Sequence, residues 1–341
     1  MSDLPAPPAQ AQPLAPPVAA PLKPVTYDQA LIAIRGPWRG IVAIVLLVVG
    51  YFIASTVFGL IAIVIDVSTG EMTQEDLLSG TIGFTPAVMF FNNLSLAALI
   101  PISMLLQRWL FGVRFRTLWS VAGRIRWVWM ARLAIVIVPA WLLYIGLSFV
   151  LEPAGEVRLD ASVIALIVIV LLTTPLQAAG EEVGARGLIQ RSAGSWFANP
   201  TLSFVVSTIL SGALFCLAHA AGDPWLIAYY FTFGASMSLV ARFSGGLEAP
   251  MLIHATNNVL IFVPAVLFGQ LDEGIDRSEG AGGPFMLFPM AMCLAAAGFT
   301  AWWARRQGVE TTAPPAITVA MEKVLAAPKF VPPVPITEPG I

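Results

Sequence analysis

Polar and apolar residues are not mixed evenly along this chain. Long apolar runs alternate with short polar connections. The runs are Ile41–Ile65, Thr85–Leu106, Trp127–Leu151, Ala161–Ala179, Leu202–Ala221, Trp225–Val240, Ala249–Gly269 and Phe285–Trp303. Crossing the apolar core of a bilayer as a helix takes roughly 17–25 residues, and all but the short sixth run meet that length. No water is available there to satisfy a free backbone, so an isolated apolar span must be helical. The expected fold is therefore all-α, a polytopic membrane helix bundle with about eight transmembrane helices.

The two ends read differently. Residues 1–25 are rich in Pro and Ala and almost uncharged, a composition that cannot bury a core and predicts a disordered tail. Thr26–Arg39 reads as a short interfacial helix carrying Arg35, Trp38 and Arg39 at the membrane edge. The membrane domain is expected over 26–306. Proline returns over 307–341, which reads as a second disordered tail. No apolar stretch follows a basic start, so no cleavable signal peptide is expected. The final Glu338-Pro339-Gly340-Ile341 has no cysteine and is not a prenylation target. No internal repeat is evident.

Composition agrees with the pattern. The chain is 57% hydrophobic and 11% charged, with a mean hydropathy of +0.82. These values exclude an ordinary soluble domain. A net charge of −2 without any basic tract gives no reason to expect nucleic acid as a partner. Cys216 and Cys293 both fall inside apolar runs, so no disulfide framework is expected. Charge does add orientation. Arg35, Arg39, Arg108, Arg114, Arg116, Arg124, Arg126, Arg186, Arg191, Arg242, Arg305 and Arg306 fall on one side of the alternating spans. The other side holds only Arg158 and Arg277, among many Asp and Glu residues. By the positive-inside rule, both termini of this integral multi-pass protein are expected in the cytoplasm.

The chemistry lies in the few polar residues within the runs. The fourth run ends in Gly180-Glu181-Glu182-Val183-Gly184-Ala185-Arg186. An ionisable side chain in a membrane span costs about 2.5–3.5 kcal/mol on insertion scales, so two adjacent carboxylates need partners or a purpose. On a helix, Glu182 and Arg186 are an i,i+4 pair and can neutralise each other. Glu181 points about 100° away and is left free for chemistry. The chain has two histidines, His219 and His254, and both lie in apolar runs. Phe215 shares a helix face with His219, and Asn258 shares one with His254. The plainer alternatives are a salt bridge at the membrane edge for Glu182–Arg186, and interhelical hydrogen bonds of about 0.6–2 kcal/mol for the histidines and Asn258.

Three motifs, Glu-Glu-x-x-x-Arg, Phe-x-x-x-His and His-x-x-x-Asn, follow in this order on successive spans. In that order, and with Arg186-Gly187-Leu188-Ile189-Gln190-Arg191 after the first, the chain resembles the CPBP family of intramembrane proteases. These are the CAAX prenyl endopeptidases and their bacteriocin-processing relatives. The likeness covers roughly 161–269. It implies a peptidase acting on a membrane-associated peptide or protein. It also implies the roles: Glu181 as the base that takes a proton from water, His219 orienting that water, and His254 and Asn258 donating to the oxyanion. Glu182 and Arg186 would hold the helix, and Phe215 would pack beside His219. A carboxylate with little water around it is the better base for this work. No metal is expected. Zinc remains the alternative, with Glu181, Glu182, His219 and His254 as ligands of suitable type. A polytopic protein without catalysis, such as a transporter, immunity protein or scaffold, is the competing class. Transporters often show inverted repeats, and none is evident here. One difficulty stands in this reading. With the fourth run ending at Ala179, Glu181 lies at the cytoplasmic edge, while His219 lies at the far end of the fifth run.

Overall fold

The caps that start the long helices sit in the polar connections. Asp160 accepts a hydrogen bond from the Val163 amide, Asn199 from Thr201 and Leu202, and Asp223 from Trp225 and Leu226. Thr85 caps the Val88 amide in the same way. Pro86, Pro200 and Pro224 follow their caps directly, at first-turn positions where a missing N–H costs nothing. The computed structural model describes residues 23–34, 36–80, 83–151, 155–271 and 276–326.

In chain order the helices are α1 (Pro37–Thr69), the short α2 (Gln74–Ser79), α3 (Pro86–Ala97), α4 (Leu99–Leu106), α5 (Trp127–Leu151) and α6 (Ala161–Glu182). They continue with α7 (Arg191–Gly194), α8 (Pro200–Ala218), α9 (Pro224–Ser244), α10 (Glu248–Leu267), α11 (Leu287–Arg306) and α12 (Val319–Ala326). Some run together into longer rods. A π-helical turn over Gln107–Phe111 extends α4, and another over Val183–Gln190 joins α6 to α7. Among the described residues eight rods are long and apolar enough to cross a membrane, so the all-α polytopic bundle stands. Cys216 and Cys293 are free thiols, as expected.

The connections divide into two faces, each tied together by its own hydrogen bonds. On the first face, Val121 N donates to Gly245 O and Leu247 N to Trp119 O, both at 2.8 Å. The strand β1 (Val25–Thr26) pairs there with β2 (Thr312–Ala313), so the two ends of the membrane domain emerge together. On the second face, Arg158 N donates to Leu267 O and Gly222 N to Arg277 O, both at 2.8 Å. The arginine-rich connections form the first face and the acidic connections the second.

Three expectations change. The fourth span runs from Ala161 to Gly194 rather than stopping at Ala179. Beyond Ala179, Glu182 and Arg186 pair with each other and Arg191 donates to Gln107 inside the protein, so these charges do not end the helix. Thr26–Arg39 is not one interfacial helix. It is β1, a buried 3-10 turn at Tyr27–Gln29 and irregular backbone before Pro37; Arg35 itself lies outside the described residues. Residues 307–326 are not featureless. β2 pairs with β1, Ala316 N donates to Ala30 O, and α12 sets Glu322 against Arg114. The expected tails over 1–22 and 327–341 lie outside the described residues.

Candidate active site

The longer fourth span removes the difficulty over depth. Glu181 stands thirteen residues before Gly194, and at 1.5 Å per residue that places it about 20 Å along the rod, well inside the bundle. Close approach to α3 is made possible by Gly180. A Cβ there would collide with the Leu96 carbonyl. On α9, Gly234 meets Gly212 of α8, where an added Cβ would stand 2.9 Å from the Gly212 Cα. Small residues at such crossings let membrane helices touch backbone to backbone.

Glu182 is fully buried and fully engaged on one oxygen. Its Oε1 accepts from Arg186 Nη1 at 2.9 Å and from His254 Nδ1 at 2.8 Å. Arg186, also fully buried, donates through Nη2 to the Gly234 carbonyl at 2.7 Å. Its guanidinium lies 4.6 Å from the centre of the Phe215 ring. A fully desolvated pair of this kind needs further hydrogen bonds, and here His254 and the Gly234 carbonyl supply them, while Glu182 Oε2 and Arg186 Nε keep no protein partner. Because a carboxylate only accepts, His254 donates to Glu182 from Nδ1. Its Nε2 is thereby turned toward Glu181, 3.6 Å from Oε2.

Glu181 is held by its other oxygen. Gln177, one turn earlier on α6, donates from Nε2 to Glu181 Oε1. Asn258 Nδ2 donates to Gln177 Oε1 at 3.2 Å, and Asn257 Nδ2 donates to Asn258 Oδ1 at 3.2 Å. Trp141 Nε1 donates to Asn257 Oδ1 at 3.1 Å and closes the chain on α5. Glu181 Oε2 is buried and has no protein hydrogen-bond donor.

His219 ends α8. Its Nδ1 lies 2.8 Å from the Phe215 carbonyl, so the proton sits on Nδ1 and the Nε2 lone pair is free. The ring stacks on Tyr230 at 4.0 Å and packs on Phe215 at 4.5 Å. Phe215 and Phe233 in turn contact the His254 ring at 5.9 and 4.8 Å. The structure therefore joins Glu181, Glu182, Arg186, His254 and Asn258 through polar contacts, and brings in His219 through aromatic ones. Glu181, Glu182, His219 and His254 do not gather as ligands. Among the described residues, no three His, Cys, Asp or Glu side chains are grouped to hold a metal ion.

Two groups of participants were not anticipated. Gln177 sits i−4 from Glu181, and that spacing of an intramembrane amide was a readable signal. Tyr230, Phe233 and Asn257 come from the packing of α9 and α10, which nothing in a linear sequence specifies.

Such a bundle, with a carboxylate, two imidazoles and amides assembled on α6, α8 and α10, defines a polytopic membrane protein with a buried polar centre. Residues 162–260, which contain every member of that centre except Trp141, match the family model described as type II CAAX prenyl endopeptidase Rce1-like. The chain is thus similar to that family over this core. It is also similar to YyaK of Bacillus subtilis (strain 168), described as an uncharacterized protein. The two are 24% identical over 285 residues, covering 79% of this chain and 93% of the relative. No solved structure matches.

Proposed function

We propose that the protein is an intramembrane endopeptidase that hydrolyses a peptide bond in a membrane-associated peptide or protein. Glu181 takes a proton from water, and the water oxygen adds to the peptide carbonyl carbon. His219 orients the water through its free Nε2. The negative oxygen of the tetrahedral intermediate accepts from Asn258 and His254. Asn258 has a second N–H beyond the one given to Gln177. His254 has Nδ1 committed to Glu182, so Nε2 donates when the ring carries both protons. Collapse breaks the C–N bond, and protonated Glu181 gives its proton to the departing amine. Preorganised donors in a poorly solvated site are the largest single contribution such a centre can make.

The observation that carries this reading is Glu181 Oε2, a buried carboxylate oxygen without a protein donor, 3.6 Å from His254 Nε2. Glu182 Oε2 is also without a protein donor, but Arg186 neutralises that carboxylate, whereas Glu181 Oε2 faces the His254 imidazole; a buried polar atom left over there calls for water or a ligand. The arginine distribution supports placing the first face, with both ends of the membrane domain, in the cytoplasm. The test compares membrane peptides, by mass spectrometry, in cells making the parent or Glu181→Gln. Specific peptides should accumulate uncut in the variant. Identical peptide populations would remove the hydrolase and favour a transporter, immunity or scaffold role.

A further inference from the structure

We propose that the Glu181 site opens on the second, acidic face, so that it takes membrane-anchored peptides from the outer half of the bilayer, with Arg277 standing at the opening. The substrate half of this statement rests on the peptidase reading above, and the word outer rests on the arginine distribution.

The way from Glu181 toward the first face is closed. Every residue from Glu182 to Gly194 is buried. Beneath them lies the segment holding Tyr27, Asp28 and Leu31, all fully buried. Tyr27 donates its hydroxyl to the Leu118 carbonyl, and Arg242 Nη1 donates to Asp28 Oδ2 at 2.7 Å. The Asp28 carbonyl packs so tightly on Gly194 that no Cβ would fit there.

Toward the second face the packing loosens. On α10 the residues from Glu248 to Asn257 are mostly buried, but Asn258 to Ala265 are half-buried at every position. Eight residues make about 2.2 turns and so point in all directions. A helix packed on one side and bathed in lipid on the other alternates buried and exposed positions. Here Leu260, Phe262, Val263 and Ala265 still touch the core, but no position is sealed by protein as the turns around His254 are, so this is the less closed side of Asn258.

The depth fits. Leu96, which packs on Gly180, lies ten residues from the second-face end of its span at Pro86, about 15 Å. Phe233, which packs on His254, lies nine residues from Pro224, about 14 Å. Half of a bilayer's apolar thickness is about 15 Å. Measured on α3 and α9 the site therefore lies near mid-membrane, although along its own longer rod Glu181 is twenty residues, about 30 Å, from Ala161.

His219 caps α8 on this same face. Its stacking partner Tyr230 accepts from Arg277 Nε at 3.0 Å. Arg277 is exposed and makes no ion pair with a carboxylate among the described residues. It thus puts a positive charge beside His219 on a face otherwise dominated by acids.

The test reads access by chemical labelling of the full chain, with Cys216→Ser and Cys293→Ala as background. Asn258→Cys and, two turns closer to the opening, Ala265→Cys are exposed to membrane-impermeant methanethiosulfonates, one cationic and one anionic. Right-side-out and inverted vesicles are compared. Both cysteines should react at least ~10-fold faster from the outside. Faster labelling from the cytoplasmic side, equal rates, or no labelling of protein that unfolds at the background temperature would overturn the proposal. If Asn258→Cys fails to fold, Ala265→Cys decides. Adding Arg277→Glu should shift the anionic-to-cationic rate ratio about 10-fold in favour of the cation. An unchanged ratio would overturn the placement of Arg277. Labelling needs no cleavage, so it keeps its meaning even if Glu181→Gln shows that nothing is hydrolysed.

Discussion

At the scale of single residues, two adjacent glutamates have different surroundings. Each keeps one oxygen without a protein donor, but Glu182 is bound to Arg186 and His254, whereas Glu181 is bound to the neutral Gln177 and faces His254 Nε2. Removing one partner of a buried pair strands the other, at a cost of roughly 3–5 kcal/mol. Arg186→Ala should therefore lower the unfolding temperature markedly in a thermal melt. Asn258→Ala has a different expected effect. It should lower turnover by roughly 10²–10³, the range for losing one oxyanion donor, with substrate affinity little changed. Steady-state kinetics on a peptide found by the proteomic comparison would check the split. The zinc alternative is settled on the same protein. Elemental analysis of active parent should find no stoichiometric zinc. Stoichiometric zinc lost together with activity in His254→Ala would instead make a metal-bound water the nucleophile.

At the scale of elements, the segment 25–34, buried at Tyr27, Asp28, Gln29, Leu31 and Ile34, fastens the first face. Asp28 is fully buried against Arg242, and burial pushes its carboxyl above the usual range even with that guanidinium beside it. Arg242→Ala should loosen the segment and expose it to protease. The sign of the pH effect follows. A carboxyl raised in the folded state gives stability that is complete below its unfolded pKa and lost as pH rises through the folded one. The variant should thus come closest to the parent at acid pH and fall furthest behind at neutral pH, as thermal melts at a series of pH values would record. This segment also marks the limit of what the sequence reveals. The eight spans and the pairing of Glu182 with Arg186 were legible, because each follows from hydrophobic length or i,i+4 spacing; the hold of Gln177 on Glu181 was not read. The continuation of α6 through Val183–Gly194 was not. Arg186 and Arg191 look like a membrane edge until Gly234 O, Gln107 and Tyr27 are seen to receive them. Nor was β1 with β2, whose partners lie nearly the whole chain apart.

At the scale of the whole molecule, an even number of spans and the pairing of β1 with β2 put both ends of the membrane domain on one face. With that face in the cytoplasm, a cysteine introduced at Ser278 should react with impermeant maleimide from outside intact cells. Labelling only from the cytoplasmic side would invert the molecule. In the proposed function, orientation decides which peptides can reach the site, and Glu181 decides whether any of them is cut. The most direct measurement is the cleavage rate of purified Glu181→Gln protein that unfolds at the parent temperature. The account predicts no detectable cleavage from a fully folded variant. Cleavage at the parental rate would contradict it.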